Sequence, residues 1–288
     1  MTLHAPSYAG GFASPERGLI DRSLWDGVVF AACPSLGATG AQLRDHSGFG
    51  NHGTVTGMTA AEAWATPGAI TLDGTDDWVD LNSPSVLEFG SSDPYSISFW
   101  IKVPAGAARG IVLAYSANLG KGWYIGYNDI SIWNTKSIFS DYYDGGVSTS
   151  VGSETNSIVD DTWHHVVFIR PSNTAADHSI HIDGVSQTMR IRTSGTPASI
   201  AYDATTEAQV GARDGGIPLD GLLDDVLTCS RALTTNEVAT LYRLGPGGMY
   251  RRQLQHNVKA PATGRINSLV GVGGGMIGYG GGMIGRGY

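Results

Sequence analysis

Carboxylates, histidines and aromatic rings are the groups through which this chain could do chemistry. The carboxylates come in adjacent pairs: Asp76-Asp77, Asp160-Asp161 and Asp224-Asp225. Cutting a sugar bond needs two carboxyl groups flanking it from opposite sides. Neighbours on a strand point to opposite faces, so none of these pairs makes such a site. The same alternation separates His164 from His165. His178, His181 and Asp183 have a ligand-like spacing, yet on a strand His181 and Asp183 share a face and His178 opposes them. No Ser/His/Asp nucleophile motif, phosphate loop or zinc spacing occurs, so no catalysis is expected. Aromatic rings are what a sugar would stack on. Trp78, Trp100, Trp123, Trp133, Tyr142 and Tyr143 are the candidates. Tyr142-Tyr143-Asp144-Gly145-Gly146 reads as a loop tip, and Trp123, Tyr142 and Tyr143 are taken as the ligand-binding set.

The elements that must carry these residues are strands. Tyr95 to Val103 alternates, with Ile97, Phe99 and Ile101 on one face and Ser98, Trp100 and Lys102 on the other. Asp161 to Arg170, Ser179 to Gly184 and Gly122 to Tyr127 read the same way. Glycine is abundant, at 41 residues, which suits many short strands and tight turns. Arg44 to Val55, RDHSGFGNHGTV, is a Gly-rich turn in which Asp45 and Asn51 can hydrogen-bond the backbone. Asp73-Gly74 is a hairpin signal. Leu24 to Cys33 reads as the first strand. The last begins near Gly221 and runs into a short helix, where Thr234 and Glu237 match a capping box. Strands recurring about every ten residues, with turns between them, indicate a sandwich.

Four segments together resemble laminin-G-like domains of the concanavalin A-like superfamily. They are the D-x-S-G-x-G-N-x-G turn, Ala69 to Leu81, the Tyr95 to Val103 strand, and the closing run G-x-x-D-D-V-x-x-x-x-R-A-L-T-x-x-E-V-x-x-L-Y. The resemblance implies an all-β, antiparallel two-sheet jelly roll over residues 24–244, with a short C-terminal helix. It is flanked by an arm (1–23) and a basic Gly-rich tail (245–288). It implies that the closing strand lies beside the first. That places Cys33 and Cys229 on neighbouring strands, either bridged or as two buried free thiols, the thiols being expected. It also implies a structural calcium ion on Asp45, Asn51 and Asp224. The E-x-D-x-x-E motif of related sandwich hydrolases is absent.

Charge is divided unevenly. The chain has 18 basic and 26 acidic residues, and from Arg243 onward six basic and no acidic ones, so the tail is +6 and the body −14. A basic tail suits docking on an acidic neighbour. The tail closes on a near-repeat, GGGMIGY then GGGMIGR. Arg251, Arg252, Met276, Ile277, Tyr279, Met283, Ile284 and Tyr288 are its expected assembly handles. The basic residues are too sparse for a nucleic-acid partner to be expected. No apolar run reaches the roughly 18 residues of a membrane span, and the N-terminus lacks the pattern of a secretory signal. The expected role is a non-enzymatic structural and display protein, a homo-oligomer or shell-bound subunit on a virion surface, as in a phage capsid decoration or fibre-like protein. The alternative is an extracellular carbohydrate-binding adhesion module recognising surface glycans.

Overall fold

The computed structural model describes residues 24–117, 121–129, 135–200, 202 and 205–248. Two antiparallel sheets face each other. The seven-stranded sheet runs β1 (Val28–Ala32), β16 (Asp220–Cys229), β6 (Tyr95–Lys102), β11 (His164–Arg170), β12 (Ser179–Ile182) and β13 (Val185–Ser186), with β4 (Ile70–Asp73) also paired to β16. The nine-stranded sheet runs β14 (Met189–Ser194), β10 (Ser148–Ser153), β9 (Ile138–Tyr143), β8 (Gly122–Tyr127), β7 (Gly110–Ser116), β15 (Glu207–Val210), β5 (Trp78–Asp80), β3 (Gly53–Thr56) and β2 (Gln42–Leu43). The closing strand does lie beside the first, with Val28 opposite Cys229 and Ala32 opposite Val226.

Alternation along β6 sorts the chain into layers. Ile97, Phe99 and Ile101 enter the main core between the sheets, with Phe30, Val166 and Phe168 from neighbouring strands. Burying such side chains, at roughly 1.5–3 kcal/mol each, is what holds the sheets together. Trp123 and Tyr142 enter the same core from the other sheet. Ser96, Ser98 and Trp100 point away from it. That outer face is covered by helix α2 (Thr235–Leu244), the longer of the two described α-helices after α1 (Ala60–Ala63). Val238 and Leu241 of α2 pack with Leu24, Ala31, Val167 and Leu227 in a second core. The expected capping box is present: the Thr234 hydroxyl accepts from the Glu237 N–H, and the Glu237 carboxylate accepts from the Thr234 N–H.

Three expectations change. The first strand is shorter than Leu24 to Cys33, because Leu24 and Trp25 form a helical turn. Asp73-Gly74 does not close a hairpin: β4 pairs with β16 and β5 with β3 and β15, so this turn carries the chain from one sheet to the other. The Asp77 carboxylate accepts the Asp73 N–H, and that of Asp73 accepts from Thr75, which widens the turn beyond two residues. The alternation rule also fails at Asp224-Asp225. A bulge lies between Asp224 and Leu227, with Asp225 at φ 47°, and it brings ligand atoms of Asp224, Asp225 and Cys33 within 4.8 Å of one another.

Candidate functional site

The most chemically equipped surface is the outer face of the nine-stranded sheet. The register decides who stands there. Tyr124 lies opposite Asp141, and Asp141 opposite Ser150, so all three point away from the core that holds Trp123, Tyr142 and Val151. The Tyr124 hydroxyl donates to one Asp141 oxygen at 2.8 Å and the Ser150 hydroxyl to the other at 2.7 Å. Burial raises the Asp141 pKa, while these two hydroxyls and the nearby Arg192 and Arg213 pull it back down. Around the trio the floor is made of small residues, Ala114, Gly122, Gly126 and Gly152. A Cβ on Gly126 would sit 2.7 Å from the Phe139 ring, so glycine there lets Phe139 lie flat across the sheet.

A strap formed by residues 213–217 crosses this face. Arg213 lays its guanidinium 4.4 Å from the centre of the Tyr124 ring. The Asp214 carboxylate accepts from the Ser116 hydroxyl at 3.0 Å, and the Gly215 N–H donates to Gln209 at 2.9 Å. Ile217 packs on the cluster of Ile111, Ala114, Tyr124 and Phe139. Asp214 and Ile217 both have positive φ, at 52° and 54°, uncommon for any side chain and an outlier for a β-branched one. A second stack lies beside the first: Arg109 is 5.4 Å from the Phe139 ring and bridges to Asp129 at 3.1 Å. The edge strand β14 adds Arg190 and Arg192, both exposed. Under the strap Tyr124, Phe139 and Ser150 are buried, at 7%, 2% and 2% exposed, so they brace the site from below. What the face presents outward is the half-buried Asp141 and Tyr143 with the guanidinium groups of Arg213, Arg190 and Arg192. The carboxylate and arginines can meet the hydroxyls of a polyhydroxylated ring, and Tyr143 its C–H face.

The predicted ligand residues fare unevenly. Trp123 and Tyr142 are corrected: they are 0% and 2% exposed, because both lie on the inward positions of their strands. Trp123 donates to the Leu87 carbonyl and the Tyr142 hydroxyl to that of Phe89, anchoring a loop instead of meeting a ligand. Tyr143 is half-buried and shares the outer face with Asp141. It ends β9, and the loop tip is Asp144 to Val147. Trp78 is half-buried beneath Gly215, and Trp100 is buried under α2 with Tyr242 and His165. Trp133 and the assembly residues Arg251, Arg252, Met276, Ile277, Tyr279, Met283, Ile284 and Tyr288 lie outside the described residues. Tyr124, Asp141, Arg192 and Arg213 were missed. The alternation of Gly122 to Tyr127 could have placed Tyr124 outward, but Asp141 joins it only through the β8–β9 register.

In the expected calcium set both carboxylates are engaged by protein donors. Asp45 accepts four donors, from the Ala31, Ser47 and Asn51 N–H groups and the Ser47 hydroxyl. Asp224 accepts the N–H groups of Ser35 and Asp225 and the Ser35 hydroxyl. Calcium takes six to eight oxygen ligands, and the contacts that these two carboxylates make are with N–H and O–H groups. His178 and His181 do not converge either. His178 binds the Ser172 carbonyl at 3.0 Å, while Asp183 pairs with His164 at 2.7 Å.

The laminin-G-type model of the concanavalin A-like lectin/glucanases superfamily matches residues 73–239. The chain belongs to this superfamily. Its members' two-sheet architecture is the one described above. Among solved structures, domain 4 of an extracellular arabinanase from Geobacillus stearothermophilus, in complex with arabinotriose, is similar. The TM-score is 0.54 and identity 20%, over 75% of this chain and 98% of that one. The binding domain of Paraclostridial Mosquitocidal Protein 1 gives 0.51 and 20%, over 77% and 53%. The binding domain of botulinum neurotoxin serotype D gives 0.55 and 15%, over 78% and 52%. This chain thus spans about half of each toxin domain and nearly all of the arabinanase domain. At these identities the likeness is one of fold. Comparison with curated proteins gives no match. Among the described residues no helix is long and apolar enough to cross a membrane.

Proposed function

We propose that this concanavalin A-like domain is a non-catalytic glycan-binding module whose site is the outer face of the nine-stranded sheet. The observation that carries the reading is the Tyr124–Asp141–Ser150 hydrogen-bonded trio capped by Arg213. Both Asp141 oxygens are held by hydroxyls, the posture of a binding group and not of an acid poised over a scissile bond. The similar arabinanase domain was solved with an arabinose trisaccharide, which supports a sugar as the ligand class. The test is a broad glycan array followed by calorimetry on any hit. Tyr143→Ala and Asp141→Asn should each weaken binding at least about tenfold, a loss of ~1.4 kcal/mol, with the circular dichroism unchanged. Binding unaffected by both substitutions would place the site elsewhere.

A second reading concerns display, and its specific support is where the ends of the domain lie. Leu24 and α2 pack together on the outer face of the seven-stranded sheet, with the whole sandwich between them and Asp141. Arms attached there would leave the glycan face turned outward. We propose that residues 1–23 and 245–288 anchor the domain to a shell or to further copies of itself, as in a virion decoration subunit. Light scattering on the full chain beside one ending at Leu244 tests this. Assembly only by the full chain is expected; two identical monomers would sink the idea.

A further inference from the structure

Several arginine and lysine side chains of this domain are paired with an acid or a carbonyl. Arg231 binds Glu237 at 2.6 Å, Lys136 binds Asp160 at 2.7 Å and Arg109 binds Asp129 at 3.1 Å. The buried Arg170 donates to the Asp93 and Ser91 carbonyls. The glycan face departs from this pattern. Arg213 is stacked on Tyr124, and its nearest carboxylate is Asp214 at 4.0 Å, too long for a hydrogen bond. Asp214 is itself held by the Ser116 hydroxyl. Arg190 and Arg192 stand exposed on β14, the edge of the same sheet, and neither forms an ion pair among the described residues. Arg192 comes close enough to Asp141 to lower its pKa. Three arginines with no hydrogen-bonded carboxylate, gathered on one sheet of a body carrying −14, are not a generic solubility feature.

From this we infer that the face selects acidic glycans, with Arg213 and Arg192 gripping an anionic substituent while Asp141 and Tyr143 meet the neutral ring. The inference rests on the glycan reading above and adds the chemical class. A guanidinium offers a planar fork of N–H donors that fits a carboxylate or sulfate edge-on, and stacking on Tyr124 fixes that plane in advance. Asp141 does not forbid an anion, because its oxygens already accept the Tyr124 and Ser150 hydroxyls and the arginines beside it outnumber it. A neutral sugar could use Asp141 and Tyr143 alone and would leave the arginines without a role.

The full-length protein should be applied to an array carrying neutral, uronate-bearing and sulfated glycans. Affinities should then be measured for tetragalacturonate against its methyl ester, and for a carrageenan tetrasaccharide against the unsulfated galactan. Binding should concentrate on acidic glycans, the charged member of at least one pair binding about tenfold tighter or more. The two pairs separate carboxylate from sulfate. The excess should shrink as salt rises from roughly 50 to 300 mM, and Arg213→Gln and Arg192→Gln should each remove several-fold of it. Arg243→Gln, on α2 across the sandwich, should remove none; an equal loss there would mean non-specific charge attraction and overturn the proposal. Array binding confined to neutral glycans, or charged and neutral members binding alike, would overturn the acidic preference and leave the glycan reading standing. No binding to any glycan would overturn both.

Discussion

Asp45 shows how much one side chain can hold. Its carboxylate ties the Gly-rich turn to β1 by accepting from Ala31, Ser47 and Asn51. Gly48 and Gly50, at φ 93° and 78°, let the loop curl around it. Asp45→Ala should cost about 3 kcal/mol or more, since it strands several buried N–H groups; urea titration would show it. Because the same donors fill the carboxylate, EDTA should leave the melting temperature unchanged; a drop of several degrees, restored by calcium, would contradict this geometry. The capping pair Thr234 and Glu237 and the bonds of Asp45 within its own turn were legible in the sequence because each acts within a few residues of itself, whereas the bond from Ala31 crosses 14 residues and was not. The trio at Tyr124, Asp141 and Ser150 was not, because its members meet only across strands. Trp123 and Tyr142 misled for a related reason: a large ring reads as exposed or buried only once the inward positions of its strand are known.

At the scale of elements, α2 and the sheet beneath it enclose histidines that cannot easily charge. His165 is 2% exposed, with Nε2 against the Ser98 hydroxyl at 2.9 Å and Nδ1 without a partner. Trp100 and Tyr242 stack near it, and His181 and Asp183 are its ionisable neighbours. Burial lowers its pKa to about 4, as it does for His178, and His46 and His181 shift the same way. Their folded values lie below the unfolded ones. This contribution to stability is therefore whole above about pH 6.5 and is lost as pH falls toward 4, by roughly 3 kcal/mol for each strongly shifted histidine. Denaturant midpoints at pH 7 and 4.5 should differ accordingly, and His165→Gln should flatten the dependence. Equal midpoints would refute it. The elements themselves were largely readable, since β6, β11 and the closing strand with its helix carry clean periodicity. The Asp73 turn and the Asp224-Asp225 bulge were not, because both break a local rule for the sake of joining or bending a sheet.

For the whole molecule, the motifs carried the architecture, and the superfamily match over residues 73–239 agrees with it. The strand order also settles the cysteines. Cys229 lies opposite Val28, five positions from Cys33, a separation on the order of 15 Å along the strand. That is beyond disulfide reach, and both thiols are free and buried. Burial pushes the Cys229 thiol up to about 12 and raises Cys33 as well. Native protein at pH 8 should resist a thiol reagent, and denaturation should release two thiols per chain; a single slow thiol or none would point to oxidation.

Leu24 and α2 share one side of the sandwich, and Asp141 stands on the other. Copies fixed side by side through those ends would aim every site the same way. Contact with a surface dense in sugars would then be multivalent, each engaged site presenting its neighbours at an effective concentration in the millimolar range. Under that condition a shallow face with weak affinity for one sugar suffices for firm adhesion, and shedding a few contacts lets the assembly roll from one glycan to the next.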